Sequence, residues 1–263
     1  MAVPEGVTKL VSESGNNFHA KVARWMQSDG WHVSVSPYYL DQTQNKPREI
    51  DLVAEKLWPV LDTFNRPIGD VAVRLFIECK FVPSNSYSVF WFTDKDMEAA
   101  EKLICSQKPF RPDNTYTKKH HYLARSNRVA KLFTTKTDRS TENDPYYKAL
   151  TQVLNAMVSM RGRPASVPAP KKRATRTMAL LEFPLVVCSS FQQTYGVDFY
   201  ADSTPEKIAN NFQLEIQYAY LDRNGTQRDE HLLLDFVEFS QLNAFVESIG
   251  NDAEIAAYLA GTN

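Results

Sequence analysis

Ile50-Asp51-Leu52-Val53-Ala54 and Leu75-Phe76-Ile77-Glu78-Cys79-Lys80 decide how this chain is read. Both runs are short, rich in branched apolar residues and separated by a turn-like stretch, Asn65-Arg66-Pro67-Ile68-Gly69-Asp70, the pattern of two neighbouring strands. Side chains alternate along a strand, so Glu78 and Lys80 share one face while Ile77 and Cys79 take the other. An acid and an amine at the end of an apolar strand are costly to bury without a purpose. Asp51 and Glu49 share a face at the start of the first run. On the residues alone, these are either surface charges on an ordinary hairpin or the corner of a site.

Working outward, Phe18, Val22, Trp25 and Met26 fall at helical spacing and predict an amphipathic helix over 16–29, stopped by Asp29-Gly30. Trp31 to Val35 follows as a strand. After Lys80, the run Pro83-Ser84-Asn85-Ser86 breaks the chain. Tyr87 to Phe92 reads as an aromatic strand suited to core packing or to base stacking. Thr93-x-x-Asp96 then opens a helix. Between Lys118 and Arg139, Lys118, Lys119, Arg125, Arg128, Lys131, Lys136 and Arg139 stand against one acid, Asp138. So one-sided a stretch would attract phosphates.

Asp144-Pro145 is a cap followed by a proline at the first helical position. The helix behind it ends near Arg161-Gly162-Arg163-Pro164. Residues 163–177 form a Pro-rich basic loop carrying Lys171, Lys172 and Arg173, read as gripping a phosphate backbone. Met178 to Ser189 is a nearly continuous apolar run, as expected of a central strand covered on both faces, with Pro184 marking its start. Ser203-Thr204-Pro205-Glu206 has capping-box spacing for a short helix. Asp222-Arg223-Asn224-Gly225 is a hairpin turn. Two helices follow, one from Ser240 and one over 252–260.

With 43% apolar residues, the chain can bury a sizeable core. A net charge of −1 gives no global attraction to nucleic acid, so any such binding must be local. Cys79, Cys105 and Cys188 are scattered and odd in number, which predicts reduced thiols and a cytoplasmic protein. No apolar run is long enough for a membrane helix, and the N-terminus lacks a basic head followed by an apolar segment. There is no Gly-rich phosphate loop, Gly-x-Ser-x-Gly, zinc pattern or His-Glu-x-x-His to support another enzyme class.

Asp51 followed by Glu78-x-Lys80 resembles the signature of the PD-(D/E)XK nuclease superfamily. The wording is closest to Mrr-type endonucleases and archaeal Holliday junction resolvases. The resemblance implies one domain over 1–263, an α/β restriction-endonuclease-like fold with a mixed central sheet flanked by helices. The fold would carry a basic insertion at about 83–143, after the Glu-x-Lys strand. It implies a Mg²⁺-dependent deoxyribonuclease, with Mn²⁺ as substitute. Asp51, Glu78 and the carbonyl of Cys79 would be metal ligands, and Lys80 would orient or activate water.

It further implies DNA, rather than RNA, as the nucleic acid that the basic residues Lys118, Lys119, Arg125, Arg128, Lys171, Lys172 and Arg173 would contact by their charge, and suggests a homodimer. The helix glutamate usual in the family is replaced by His19 in Gly15-Asn16-Asn17-Phe18-His19; His19 itself, Glu13, Glu49 and Gln152 are accessory candidates. That departure keeps an alternative open: a catalytically inactive nucleic-acid-binding or scaffold module of the same fold. Cleavage specificity and biological pathway are not written in these residues.

Overall fold

A computed structural model describes residues 3–42, 44–136, 145–167, 176–222 and 224–262. In chain order its elements begin with α1 (Glu5–Glu13), α2 (Gly15–Ser28), β1 (His32–Val35), β2 (Tyr38–Asp41), β3 (Lys46–Glu49), β4 (Leu52–Leu61) and β5 (Pro67–Lys80). Then come β6 (Tyr87–Asp94), α3 (Met97–Ser106), α4 (Thr115–Lys119), α5 (Tyr122–Arg125), β7 (Arg128–Lys136) and α6 (Pro145–Met160). The last part holds β8 (Thr177–Cys188), β9 (Thr194–Asp198), β10 (Glu206–Lys207), β11 (Phe212–Leu221), β12 (Gln227–Glu238) and α7 (Leu242–Gly261).

Ten strands form one mixed sheet in the order β1-β4-β5-β8-β12-β11-β7-β6-β9-β10, and β2 and β3 form a separate hairpin. The protein is thus α/β, with a large mixed sheet flanked by helices. β5, β8 and β12 run parallel, and their last residues, Lys80, Cys188 and Glu238, lie in register. The apolar residues of β8 look continuous because both faces are covered. Leu181, Phe183, Leu185 and Val187 pack with α2, α3, α5 and α7 on one face. Val186 and Cys188 pack with α6 on the other.

The predicted helix forms as α2, with Phe18, Val22, Ala23 and Met26 buried and the Ser14 hydroxyl accepting the Asn17 N–H at its start. Gly30 takes φ +84, which only glycine adopts without strain, and turns the chain into β1. The stretch 83–143 is woven into the sheet rather than hung from it, since it supplies β6 and β7. Phe90 of β6 is fully buried, with ring centroids 4.7 Å from Phe212 and 5.3 Å from Phe236, so the aromatic run is core. Asp96, not Thr93, caps α3 by accepting the Ala99 N–H.

Three local expectations change. Pro184 lies inside β8, opposite Phe76, rather than at its start. The Glu182 N–H points away from β5 to the Gln107 side chain, 2.8 Å away. Two residues later Pro184 points the same way, where β12 has not yet joined the ladder, so its missing donor breaks nothing. The segment 203–206 does not form a helix: the Ser203 hydroxyl accepts the Asp198 N–H instead, and Glu206 enters β10. The last two helices are one, α7, because Asp252 points inward to the Tyr116 hydroxyl (2.7 Å) and the Tyr122 N–H (3.0 Å).

Candidate active site

The chain leaves the central sheet at Asp51. β1 pairs with β4 as far as Val35 opposite Leu52. Beyond that point the Ser36 N–H donates to the Asp51 carbonyl at 2.8 Å, the Ile50 N–H donates to the Pro37 carbonyl, and β2 and β3 turn away as the hairpin. β4 pairing with β5 ends at Leu52 opposite Ile77, so β5 continues to Glu78 and Lys80 with no ladder on that side. The Asp51 carboxylate occupies the vacated edge, and its Oδ2 accepts the Cys79 N–H at 2.7 Å.

The three sequence-predicted groups therefore converge. The Asp51 N–H donates to Glu78 Oε1 at 3.4 Å, and Lys80 Nζ lies 3.2 Å from Glu78 Oε2. Glu78 is buried, whereas Lys80 keeps partial access to solvent. Burial first, and then the neighbouring Asp51 charge, push the Glu78 carboxyl up to about 7, against the pull of Lys80. Such a carboxyl is short of positive charge. The Cys79 backbone faces the Asp51 side, as its N–H shows, while the Lys80 carbonyl faces β8 and accepts the Ser189 N–H at 2.9 Å. By strand alternation the Cys79 carbonyl points with its own N–H, past the end of β4. The Cys79 thiol is on the opposite face, and burial pushes it well above the ordinary thiol range. It stays protonated and takes no part.

Two carboxylates and a backbone carbonyl are hard oxygen donors, a set suited to Mg²⁺ or Mn²⁺, which keep several waters and need only one or two protein carboxylates. Among the described residues no three His, Cys, Asp or Glu side chains group as a metal site. The oxygens that meet here come from two acids and one main-chain carbonyl.

The accessory candidates are placed elsewhere. Glu49 accepts a hydrogen bond from the Tyr38 hydroxyl across the hairpin. Gln152 Nε2 donates to the Glu49 carbonyl (3.2 Å), and the Tyr39 hydroxyl donates to the Gln152 carbonyl (3.2 Å), so Gln152 clasps the hairpin to α6. His19 lies on α2, which packs on the face opposite Glu78, and its Nε2 is buried without a hydrogen-bond partner. The side chain of Glu13 lies outside the described residues.

The basic residues do not gather at the triad. Lys118 and Lys119 on α4 and Arg125 on α5 sit on elements packed against α3 and α7, behind the sheet. Lys118 pairs with Glu101 at 3.4 Å, and Arg125 donates to the His120 carbonyl. Arg128 begins β7 and pairs with Asp198 at 2.7 Å. β7 is four strands from β5, roughly 19 Å at ordinary strand spacing. Lys171, Lys172, Arg173 and Arg139 lie outside the described residues.

Sequence reading missed the buried charge of Arg74 on β5. Arg74 is 1% exposed and donates to Glu55 (2.6 Å), Glu182 (2.9 Å) and the carbonyls of Arg163 (3.1 Å) and Pro164 (2.8 Å). Its signal was a lone arginine inside Val71-Ala72-Val73-Arg74-Leu75-Phe76-Ile77. Also missed was the clasp around Asp41, which pairs with Arg48 (2.9 Å) and accepts from Asn155 (3.1 Å).

The chain matches no family model, no curated protein and no solved structure. What it does must be argued from the site itself. No described helix is long and apolar enough to cross a membrane.

Proposed function

We propose that the protein is a metal-dependent phosphodiesterase of restriction-endonuclease-like fold that cleaves DNA. The observation that carries this reading is the meeting of Asp51, Glu78 and Lys80 at the point where β4 leaves β5. Asp51, Glu78 and the Cys79 carbonyl would hold Mg²⁺ or Mn²⁺. The ion would supply Lewis acidity toward a phosphoryl oxygen and a more acidic bound water.

The chain's own residues do the rest. Asp51 is fixed by the Cys79 N–H, so its second oxygen has a set direction. Glu78 is held between the Asp51 N–H and Lys80, and its raised proton affinity makes it responsive to any added positive charge. Lys80, partly open to solvent, can orient a water for in-line attack or meet charge developing on phosphate oxygens. With Lys118, Lys119 and Arg125 behind the sheet, phosphate contact at the site falls first to Lys80.

The test is incubation of supercoiled, linear, branched and single-stranded DNA with wild type, Asp51→Asn, Glu78→Gln and Lys80→Ala in Mg²⁺ or Mn²⁺. The expected result is cleavage by wild type alone. A wild type that cuts nothing, or variants that cut as well as it does, would sink the proposal. Calorimetry with Mn²⁺ on wild type and Asp51→Asn separates an active ion site from a catalytically inactive scaffold.

A further inference from the structure

β8 and β12 pair only over Leu185–Cys188 and Asp235–Glu238. Before that they splay, and between their unpaired halves lies a cavity of about 750 Å³, within the usual range for small-molecule sites. It passes through the sheet. Leu103 and Leu123 close it on the α3–α5 side, Met157 and residues 162–165 close it on the α6 side, and Leu180 and Leu232 line the strand walls. On its wall the Gln107 side chain stands in for a missing strand by accepting the Glu182 N–H.

The charges at the cavity do not cancel. Glu182 pairs with Arg74 (2.9 Å), which also pairs with Glu55 (2.6 Å), and Glu230 pairs with Arg161 (2.7 Å). Arg163 and Lys108 also line it and are in no ion pair among the described residues. Among the described residues, Arg74, Arg161, Arg163 and Lys108 against Glu55, Glu182 and Glu230 leave one positive charge. Of these two cations, Lys108 is exposed and Arg163 half-buried.

We propose that this cavity binds an apolar monoanion, a medium-chain carboxylate or its chemical equivalent. Its hydrocarbon lies between the splayed strands and its charge meets Arg163 and Lys108. The site stands at the opposite end of β8 from Lys80 and Glu78, so the proposal does not rest on the nuclease reading. Its binding is measured without any DNA.

The probes are decanoate and decanol, titrated by calorimetry into wild type, the double variant Arg163→Gln/Lys108→Gln, and Ala165→Trp, which fills the cavity from its loop. Wild type is expected to bind decanoate at least about ten-fold more tightly than decanol, the scale of a charge-assisted contact. The double variant should bind the two alike, and Ala165→Trp should lose both. Circular dichroism identifies a misfolded Ala165→Trp. In that case the double variant decides alone, because its substitutions lie at solvent-accessible positions. No decanoate binding by wild type, equal affinity for decanol, or an unchanged preference in the double variant overturns the proposal.

Discussion

Two of the buried charges of β5, Arg74 and Glu78, lie four residues apart on one face and are solved in opposite ways. Arg74 has two carboxylates and two carbonyls around its guanidinium, and Glu55 also accepts the Ser166 N–H at 2.6 Å. Every partner matches a donor in sign and geometry, so the group ties β4, β5, β8 and the chain after α6 together. Glu78 has one ammonium, one long N–H contact and a like charge beside it. The lesson is that burial alone does not mark a functional charge; incomplete compensation does.

The largest expected effect breaks the comparison at the Glu78 end. Glu78→Gln, Asp51→Asn and Lys80→Ala should each lower metal-dependent DNA cleavage by on the order of 10²–10³-fold or more. All three should remain folded at the assay temperature, with the Glu78→Gln midpoint at or above that of wild type. Arg74→Met should do the reverse. Removing one member of a buried, matched group leaves Glu55 and Glu182 uncompensated, so stability should fall by about 3–5 kcal/mol in urea unfolding. An Arg74→Met protein as stable as wild type would mean that the guanidinium is not the staple described.

The comparison sharpens with pH. The Glu78 carboxyl lies at about 7 in the folded protein, against an ordinary value of 4.5. A raised acid contributes stability that is fully present below the unfolded value and is lost as pH rises through the folded one. Between pH 4.5 and about 7, then, Glu78 should cost the fold up to about 3 kcal/mol. Asp235 (about 7) and Asp252 (about 6) are raised by burial in the same sense, so the Glu78 share must be read as a difference. Glu78→Gln should match wild type at pH 4 and exceed it at pH 8.5. Added Mg²⁺ should close that gap by stabilising only wild type. Parallel curves for the two proteins at all pH values would remove Glu78 as the uncompensated charge.

How much of this was legible in the sequence follows from the range of the forces involved. Strand alternation and a turn suffice to bring Asp51 near Glu78 and Lys80, and the hairpin pairing of β4 with β5 does so. Arg74 stands out as a lone charge in an apolar strand, but its four partners were illegible because they come from β4, β8 and the chain after α6. His19 sits at the right step of a helix, but spacing says nothing about which face of the sheet the helix covers. The charge run from Lys118 was legible as charge and not as position, since α4 and α5 are fixed by Asp252 from the far end of the chain. The cavity depends on where two strands part, which no single segment encodes.

The smallest effect concerns what covers the Glu78 end of β5. The hairpin β2–β3 lies over α6 beside Glu78, and its hold is modest: Gln152 to the Glu49 carbonyl, Tyr39 to the Gln152 carbonyl, and Asn155 to Asp41. Tyr39 is close enough to Glu78 that the carboxylate adds to the burial and Asp41 effects raising its hydroxyl. Gln152→Ala removes one donor from a part-buried carbonyl, worth about 1 kcal/mol. Global stability should therefore barely move, while amide exchange of the hairpin should quicken several-fold relative to β5. If cleavage falls along with hairpin protection, the hairpin helps to shape the site. If exchange quickens and cleavage does not change, the triad stands on β5 and its neighbours alone. Unchanged exchange would show that the Gln152 clasp contributes nothing to holding the hairpin.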